Sequence, residues 1–452
     1  MEKWKILLIA IGIVLGIQSC KKVPENFAAS DKYRLVWNDD PTSTLTIAWD
    51  QNDSVKSPVV LYSETDHGRK YWKYEHDQQA SLIRSNYDMN THFAGLSGLK
   101  ANTPYYFVIK DERGVSERYW FKTAPDSPQP FTFITGGDSK SSGGPLEAGR
   151  NSNRIVSKLR PLFVAYNGDF TSGDGTDPER WKLWLRDWQE LTTTDDGRMI
   201  PIVPVHGNHE DGDMANLPYI FNTPYQNNDS TNVYYSLSFG GHFFHLTVLN
   251  SQIDEGGEQK EWLKKDLEQH RDYTFKVVGY HKPFFPHTSG KAENQYQYDQ
   301  WAYLFYLYGV NLSVDGDSHM HKITYPLRPD STENSFMGFV RDDQTGTLFV
   351  GEGSWGARPR INDDDKPWTL TSGSLNQVKW IHVLPQEKEE EAHLKIFTVP
   401  AANYDESDNL ISFNQEIEAL TEKNLFEIPL NMKFFETGSA REYVRYPLLG
   451  DE

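Results

Sequence analysis

Between Tyr33 and Thr123, apolar residues recur at every second position in short runs broken by turn residues. In Thr44-Leu-Thr-Ile-Ala-Trp49 the apolar face is Leu45, Ile47 and Trp49, and similar runs occur at Val59–Tyr62, Tyr105–Ile109 and Tyr119–Thr123. A period of two at close spacing, with no helical period, predicts the strands of an all-β sandwich. Ala124-Pro-Asp-Ser-Pro-Gln-Pro130 interrupts this pattern, and its prolines make a stiff linker and a domain boundary.

Beyond residue 130 the rhythm becomes strand, polar cluster, helix. Phe131–Thr135 runs into Gly136-Gly137-Asp138, Pro161–Tyr166 into Asn167-Gly168-Asp169, and Ile200–Val205 into His206-Gly207-Asn208-His209-Glu210. Phe275–Tyr280 runs into His281, and Val310–Val314 into Asp315-Gly-Asp-Ser-His-Met-His321. Helical periods lie between, at Arg150–Leu159, Pro178–Leu191 and Glu258–Gln269; the second puts Trp181, Trp184, Leu185 and Trp188 on one face. This alternation predicts a layered α/β domain, whose ligands gather at the carboxyl ends of its strands. Lys379–Val383 and Leu394–Thr398 read as a hairpin finishing the sheet, and residues 401–452 as a surface-packed extension.

A chain of 452 residues fits two domains, and a formal net charge of -19 argues against a nucleic-acid partner, because a phosphate backbone needs Lys and Arg to neutralise it. Met1–Cys20 stands apart from both domains. Lys3 and Lys5 precede the apolar run Ile6–Ile17, which is shorter than the roughly 20 residues of a membrane span and fits a signal peptide. It ends at Ile17-Gln-Ser-Cys20, the only cysteine in the chain, so an exported form has no disulfide to draw on.

The strand-end clusters hold two Asp, one Asn and three His that suit metal ions: Asp138, Asp169, Asn208, His281, His319 and His321. Imidazole with carboxylate suits zinc, iron or manganese more than calcium. Six donors exceed the needs of one four-coordinate ion and match two ions sharing a carboxylate, an arrangement able to clamp a phosphoryl group. On a strand, His319 and His321 would point the same way. The plain alternatives are helix caps for Asp138 and Asp169, a capped turn for Asn208 with His209, and a satisfied core histidine for His281. His206 reads as structural, and Arg358 and Arg360 as loop cations.

In order, Gly137-Asp138, Gly168-Asp169, Gly207-Asn208-His209-Glu210, Gly279-Tyr-His281-Lys-Pro and His319-Met-His321 resemble the motifs of the calcineurin-like metallophosphoesterase superfamily, in its purple acid phosphatase-like branch. Leu96–Val108 resembles a fibronectin type III domain, and Ile17–Cys20 a bacterial lipobox. The resemblances imply a signal peptide at 1–20, a tether at 21–29, a fibronectin III-like β-sandwich at 30–124 and a linker at 125–130. An α/β metallophosphoesterase domain, a four-layer α/β/β/α sandwich, follows at 131–400, with an extension at 401–452. They imply that Asp169 bridges two divalent or trivalent ions (Fe, Zn, Mn or Mg), that Asp138 and His321 hold the first, and that Asn208, His281 and His319 hold the second. His209 would contact the phosphate or protonate the leaving group, and hydroxide generated at the ions would attack phosphorus. The expected substrate is a small phosphate monoester; the alternatives are a diester at the same site, or a surface binding protein with a degraded site. Cys20 would be lipidated and provide the membrane attachment of a periplasmic or cell-surface lipoprotein.

Three positions depart from the pattern. Ser172 stands where the purple branch has a metal-bound Tyr, Lys140 where many members have a His, and Ser318 where the family has Gly before His-x-His. Lys140 is expected to point its ammonium at the substrate phosphate, with His287 as a second substrate contact.

Overall fold

The protein is described by a computed structural model over residues 22–52, 55–139, 146–388, 390–404, 410–411 and 441–444. The expected signal peptide with Cys20, and Lys140, lie outside these residues. Among the described residues no helix is long and apolar enough to cross a membrane.

The period-two segments form β1 (Ser30–Val36), β2 (Leu45–Gln51), β3 (Val59–Ser63), β4 (His76–Gln79), β5 (Leu82–Asn86), β6 (Met89–Leu96), β7 (Pro104–Lys110) and β8 (Tyr119–Lys122). They make the two sheets of an all-β sandwich, one ordered β1-β2-β6-β5 and the other β4-β3-β7-β8. Trp49, Phe107, Ile109 and Phe121 are fully buried in the core.

The second domain runs β9 (Phe131–Gly136), α1 (Leu146–Leu159), β10 (Phe163–Tyr166), α2 (Pro178–Thr192), β11 (Ile202–Pro204), α3 (Asn216–Phe221), β12 (Tyr235–Phe239), β13 (Phe244–Val248), α4 (Gly257–Gln269), β14 (Phe275–Gly279), α5 (Gln295–Leu307) and β15 (Leu312–Val314). It continues with β16 (His321–Thr324), β17 (Leu327–Pro329), β18 (Phe339–Arg341), β19 (Leu348–Gly351), β20 (Thr369–Gly373), β21 (Asn376–Leu384) and β22 (His393–Tyr404). One sheet contains β22-β21-β9-β10-β11 and the other is β12-β13-β14-β15-β19-β16-β20. Their inner faces share a core that includes Phe133, Phe163, Phe244, Val277 and Val350. On the outside of the second sheet, Leu263 and Leu267 of α4 pack with Trp301 and Phe305 of α5. The Trp-bearing face of α2 is buried as its period requires, and Asp177 caps the helix by accepting from the amides of Glu179 and Arg180, with Pro178 in the first turn. The layers are therefore α/β/β/α, as expected.

The proline-rich linker does not separate the two domains in space. β1 pairs in parallel with β11 at Val36 and Ile202, so the first sheet of the sandwich continues edge-on into the first sheet of the second domain. The side-chain carbonyl of Gln189 on α2 accepts from the Tyr33 amide at 2.8 Å, and the amide of Trp120 donates to Gly197 O at 3.0 Å. Both edges that would otherwise present unpaired backbone are covered by this junction.

Candidate metal centre

The carboxyl ends of β9, β10, β11, β14 and β15 meet at one place, and the turns there are unusually tight. Asp138 has φ +65°, Asp169 +57°, Asp317 +68° and His319 +54°. Left-handed backbone at non-glycine residues is sterically costly and concentrates where function over-determines the conformation. Gly207 is required at its position because a Cβ would meet the Asp169 amide nitrogen at 2.3 Å and Asp169 Oδ1 at 2.6 Å. Glu210 fastens the turns together. One of its carboxylate oxygens accepts from the amides of Asp169 and Gly207 at 2.8 and 3.0 Å, and the other from Phe170 at 2.9 Å. Burial, with Asp169 nearby, pushes its carboxyl up to about 8.

Two imidazoles face three carboxylates. His281 Nδ1 donates to Asn167 O at 2.6 Å, which aims Nε2 at Asp169 Oδ1 (3.2 Å), Asn208 Oδ1 (3.1 Å) and Asp317 Oδ1 (3.6 Å). His319 Nδ1 donates to Arg358 O at 3.2 Å, which aims its Nε2 at Asp138 Oδ1 at 3.3 Å. In both rings a carbonyl accepts from Nδ1 and leaves Nε2 turned into the carboxylate cluster, the usual outer-shell device of a metal-binding histidine. Burial lowers the basicity of His281, but Asp169, Asp138 and Asp317 outweigh it and push the ring up to about 10. A cradle that holds a proton this strongly presents concentrated negative charge to a cation.

At bond lengths of about 2.1 Å, donors at neighbouring corners of a coordination shell lie roughly 3.0–3.4 Å apart. The contacts of 3.1, 3.2 and 3.3 Å meet that spacing. Asp138 Oδ1 and His319 Nε2 are buried and have no hydrogen-bond partner among the described residues, although they lie 3.3 Å apart. Unsatisfied lone pairs aimed at one point are expensive unless a cation lies between them. Asp138, Asp169 and His281 each place a donor atom within 4.8 Å of the other two. The residues fit metal ions.

His209 borders this cluster rather than joining it. Its amide donates to Asp169 Oδ1 at 2.9 Å, and its ring Nε2 stands 3.8 Å from Asp169 Oδ2. Its side chain is 26% exposed while those of Asp169 and His281 are fully buried, so it is open toward anything entering from solvent.

Two expected site residues are elsewhere. His321 begins β16, and its Nε2 faces Thr371 Oγ1 at 3.4 Å while its Nδ1 is engaged by Lys379 Nζ. His319 lies before the strand in left-handed backbone, so the two histidines do not share a strand face and the period-two argument fails. His287 is fully buried and makes no surface for substrate. Its Nδ1 lies 2.8 Å from Glu352 Oε1 and its Nε2 2.7 Å from Thr369 Oγ1. His206 is buried, as a structural residue should be, and burial lowers it to about 4. Arg358 and Arg360 act through backbone, the first accepting from His319 Nδ1 and the second donating its amide to His319 O. Ser172 accepts from Arg180 Nη1 at 2.8 Å. Sequence reasoning passed over Glu210, the fastener of the turns, and Asp317, whose carboxylate faces His281 and is paired with the Lys291 ammonium. Glu210 was visible three residues after Gly207; Asp317 was hidden among the other polar residues of its loop.

The comparisons with known proteins agree with this architecture. Residues 147–321 match the family model described as calcineurin-like phosphoesterase, and residues 30–123 match that of the purple acid phosphatase N-terminal domain. The second domain is thus similar to the calcineurin-like phosphoesterases, and the two matches together follow the two-domain plan of the purple acid phosphatases. Purple acid phosphatase 18 of Arabidopsis thaliana is 25% identical over 432 residues, covering 85% of this chain and 90% of the relative. Purple acid phosphatase 15 of the same plant is 27% identical over 276 residues, covering 51% of this chain and 49% of the relative, so the match spans about half that relative's length. The solved purple acid phosphatase PPD1 from yellow lupin (Lupinus luteus) seeds has the same fold, with a TM-score of 0.67 and 15% identity over 88% of this chain and 77% of that one.

Proposed function

We propose that the protein is a phosphoester hydrolase dependent on two metal ions, with phosphate monoesters as its substrate class. The observation that carries this reading is the set of donor atoms from separate strand ends, spaced as neighbouring donors in a coordination shell, with Asp138 Oδ1 and His319 Nε2 lacking a hydrogen-bond partner among the described residues. Asp138 and His319 would hold one ion, Asn208 and His281 the other, and Asp169 lies between the two groups. When bound, such a pair supplies Lewis acidity and activates water near neutral pH. The chain's own residues do the rest. Asn167 O and Arg358 O orient the two rings, Glu210 fixes the Asp169 turn, and the buried floor excludes bulk water from the carboxylates. His209, on the open side, is placed to donate a proton or a hydrogen bond to the departing oxygen. Preference for monoesters rests on the relatives, which are named as purple acid phosphatases.

The test is turnover of a chromogenic monoester beside the corresponding diester, after chelation and again after metal is restored. The reading expects metal-dependent hydrolysis with the monoester faster. Diester turnover exceeding monoester turnover would replace the substrate class, and no hydrolysis of either with both ions present would remove the enzymatic reading. For location, we infer from Met1–Cys20 an exported lipoprotein. Labelled fatty acid should be incorporated by the full chain and not by Cys20→Ala; equal labelling would contradict the anchor.

A further inference from the structure

We infer that Asp317, not His321, completes the metal centre, and that the ligand pair of this loop is Asp317 and His319. The inference rests on the metal-dependent reading above and concerns which residues build the site. Asp317 Oδ1 lies 3.6 Å from His281 Nε2, on the same atom that faces Asp169 and Asn208. Its amide donates to Asp138 Oδ2 at 2.9 Å, so the residue ties the Asp138 half of the site to the His281 half. It shares the left-handed backbone of Asp138, Asp169 and His319. Gly316 precedes it at a place where a Cβ would meet Asp138 Oδ2 at 2.9 Å and His281 Nδ1 at 3.0 Å. Gly316-Asp317-Ser318-His319 thus occupies the place where Gly-His-x-His was expected. The motif is displaced by two residues, Asp stands for its first His, and the glycine that appeared to be missing at Ser318 is Gly316.

His321 belongs to a different network. Its nitrogens face Thr371 and Lys379, and Lys379 in turn donates to Thr398 Oγ1 at 2.8 Å. These partners sit on β20, β21 and β22.

The exchange changes the donor chemistry. Asp138, Asp169, Asp317 and Asn208 supply oxygen and only His281 and His319 supply nitrogen, one imidazole fewer and one carboxylate more than the pattern with His321. A harder, more anionic set favours manganese, iron or magnesium relative to zinc. The competing reading is that Asp317 exists only to pair with the Lys291 ammonium.

Metal content by mass spectrometry, with calorimetric titration of Mn²⁺ and Zn²⁺ into chelated protein, separates these readings; circular dichroism confirms folding. We expect two ions in the wild-type chain and in His321→Ala and Lys291→Met, and about one in Asp317→Ala. Asp317→His should keep two ions and shift the ratio of Zn²⁺ to Mn²⁺ affinity about tenfold or more toward zinc. Two ions in Asp317→Ala, or one in His321→Ala, would overturn the assignment while leaving the function intact. If Asp317→Ala fails to fold, an unchanged affinity ratio in Asp317→His overturns it. No ion in the wild-type chain would overturn both.

Discussion

Among the described residues, two clusters of Asp and His look alike in composition and behave differently in geometry. Asp138, Asp169 and His281 place donor atoms within 4.8 Å of one another, and so do His245, Asp266 and His270. In the second cluster every carboxylate oxygen is satisfied. Asp266 Oδ1 accepts from Ser236 at 2.7 Å, and Oδ2 from Thr247 at 2.8 Å and His245 Nε2 at 3.0 Å. His245 Nδ1 meets Ser238 Oγ at 2.9 Å, and His270 Nδ1 donates to Asp266 O at 2.7 Å. The rings of His245 and His270 stack with centroids 3.6 Å apart, so their in-plane lone pairs run side by side and cannot converge on one ion. None of the three residues has left-handed backbone. In the first cluster Asp138 Oδ1 has no hydrogen-bond partner among the described residues, the turns are strained, and the site opens at His209. Donor proximity is thus shared by a metal centre and a structural brace between α4 and the β12–β13 hairpin; unsatisfied valence is what separates them.

Parallel substitutions put the comparison at risk. Asp169→Ala should lower kcat/KM by about a thousandfold or more, beyond the 10–100-fold usual for loss of an outer-shell partner. Next in size is His209→Ala, with kcat down about 10²-fold as for loss of a general acid and metal content unchanged. Equal metal loss in that variant would make His209 a ligand instead. Asp266→Ala should leave kcat/KM within about twofold while lowering stability by about 1–3 kcal/mol in denaturant titration, the cost of leaving its buried hydrogen-bond partners unsatisfied. Loss of turnover in a folded Asp266→Ala protein would erase the distinction drawn here.

Acid titration sharpens the contrast further. Burial raises the Asp266 carboxyl, but hydrogen bonds from His245, His270 and Ser236 outweigh it and hold the group well below the usual carboxylate range. A depressed folded-state pKa gives stability that is present above the unfolded value of about 4 and lost as pH falls through the folded value. The acid limb of the stability curve should therefore flatten in Asp266→Asn; an unchanged limb would contradict the assignment. The smallest effect concerns colour. With Ser172 bonded to Arg180 where the purple branch has a Tyr, iron-loaded protein should lack a tyrosinate charge-transfer band in its visible spectrum.

Much of this was legible in the sequence because strand periodicity and strand-end chemistry are local. The runs ending at Asp138, Asp169, Asn208 and His281 were read correctly as strands feeding one site, and the α2 face followed from its Trp spacing. α5 was not read, because Gln295–Leu307 carries aromatics on nearly every side and shows no clear apolar stripe. β12 and β13 were passed over although their strands alternate, and the edge-on union of the domains could not be seen because β1 and β11 are distant in sequence. Asp317 was missed for a different reason. The loop before β16 turns through left-handed residues, and a strand-based count of which side chains share a face does not hold there.

The most direct test of the account is metal stoichiometry in the wild-type chain, Asp169→Ala and Asp266→Ala, each chelated, reloaded and shown to be folded. The account predicts two ions in the wild-type chain, loss of metal in Asp169→Ala and two ions in Asp266→Ala. Full metal in Asp169→Ala, or loss of an ion in Asp266→Ala, would contradict it.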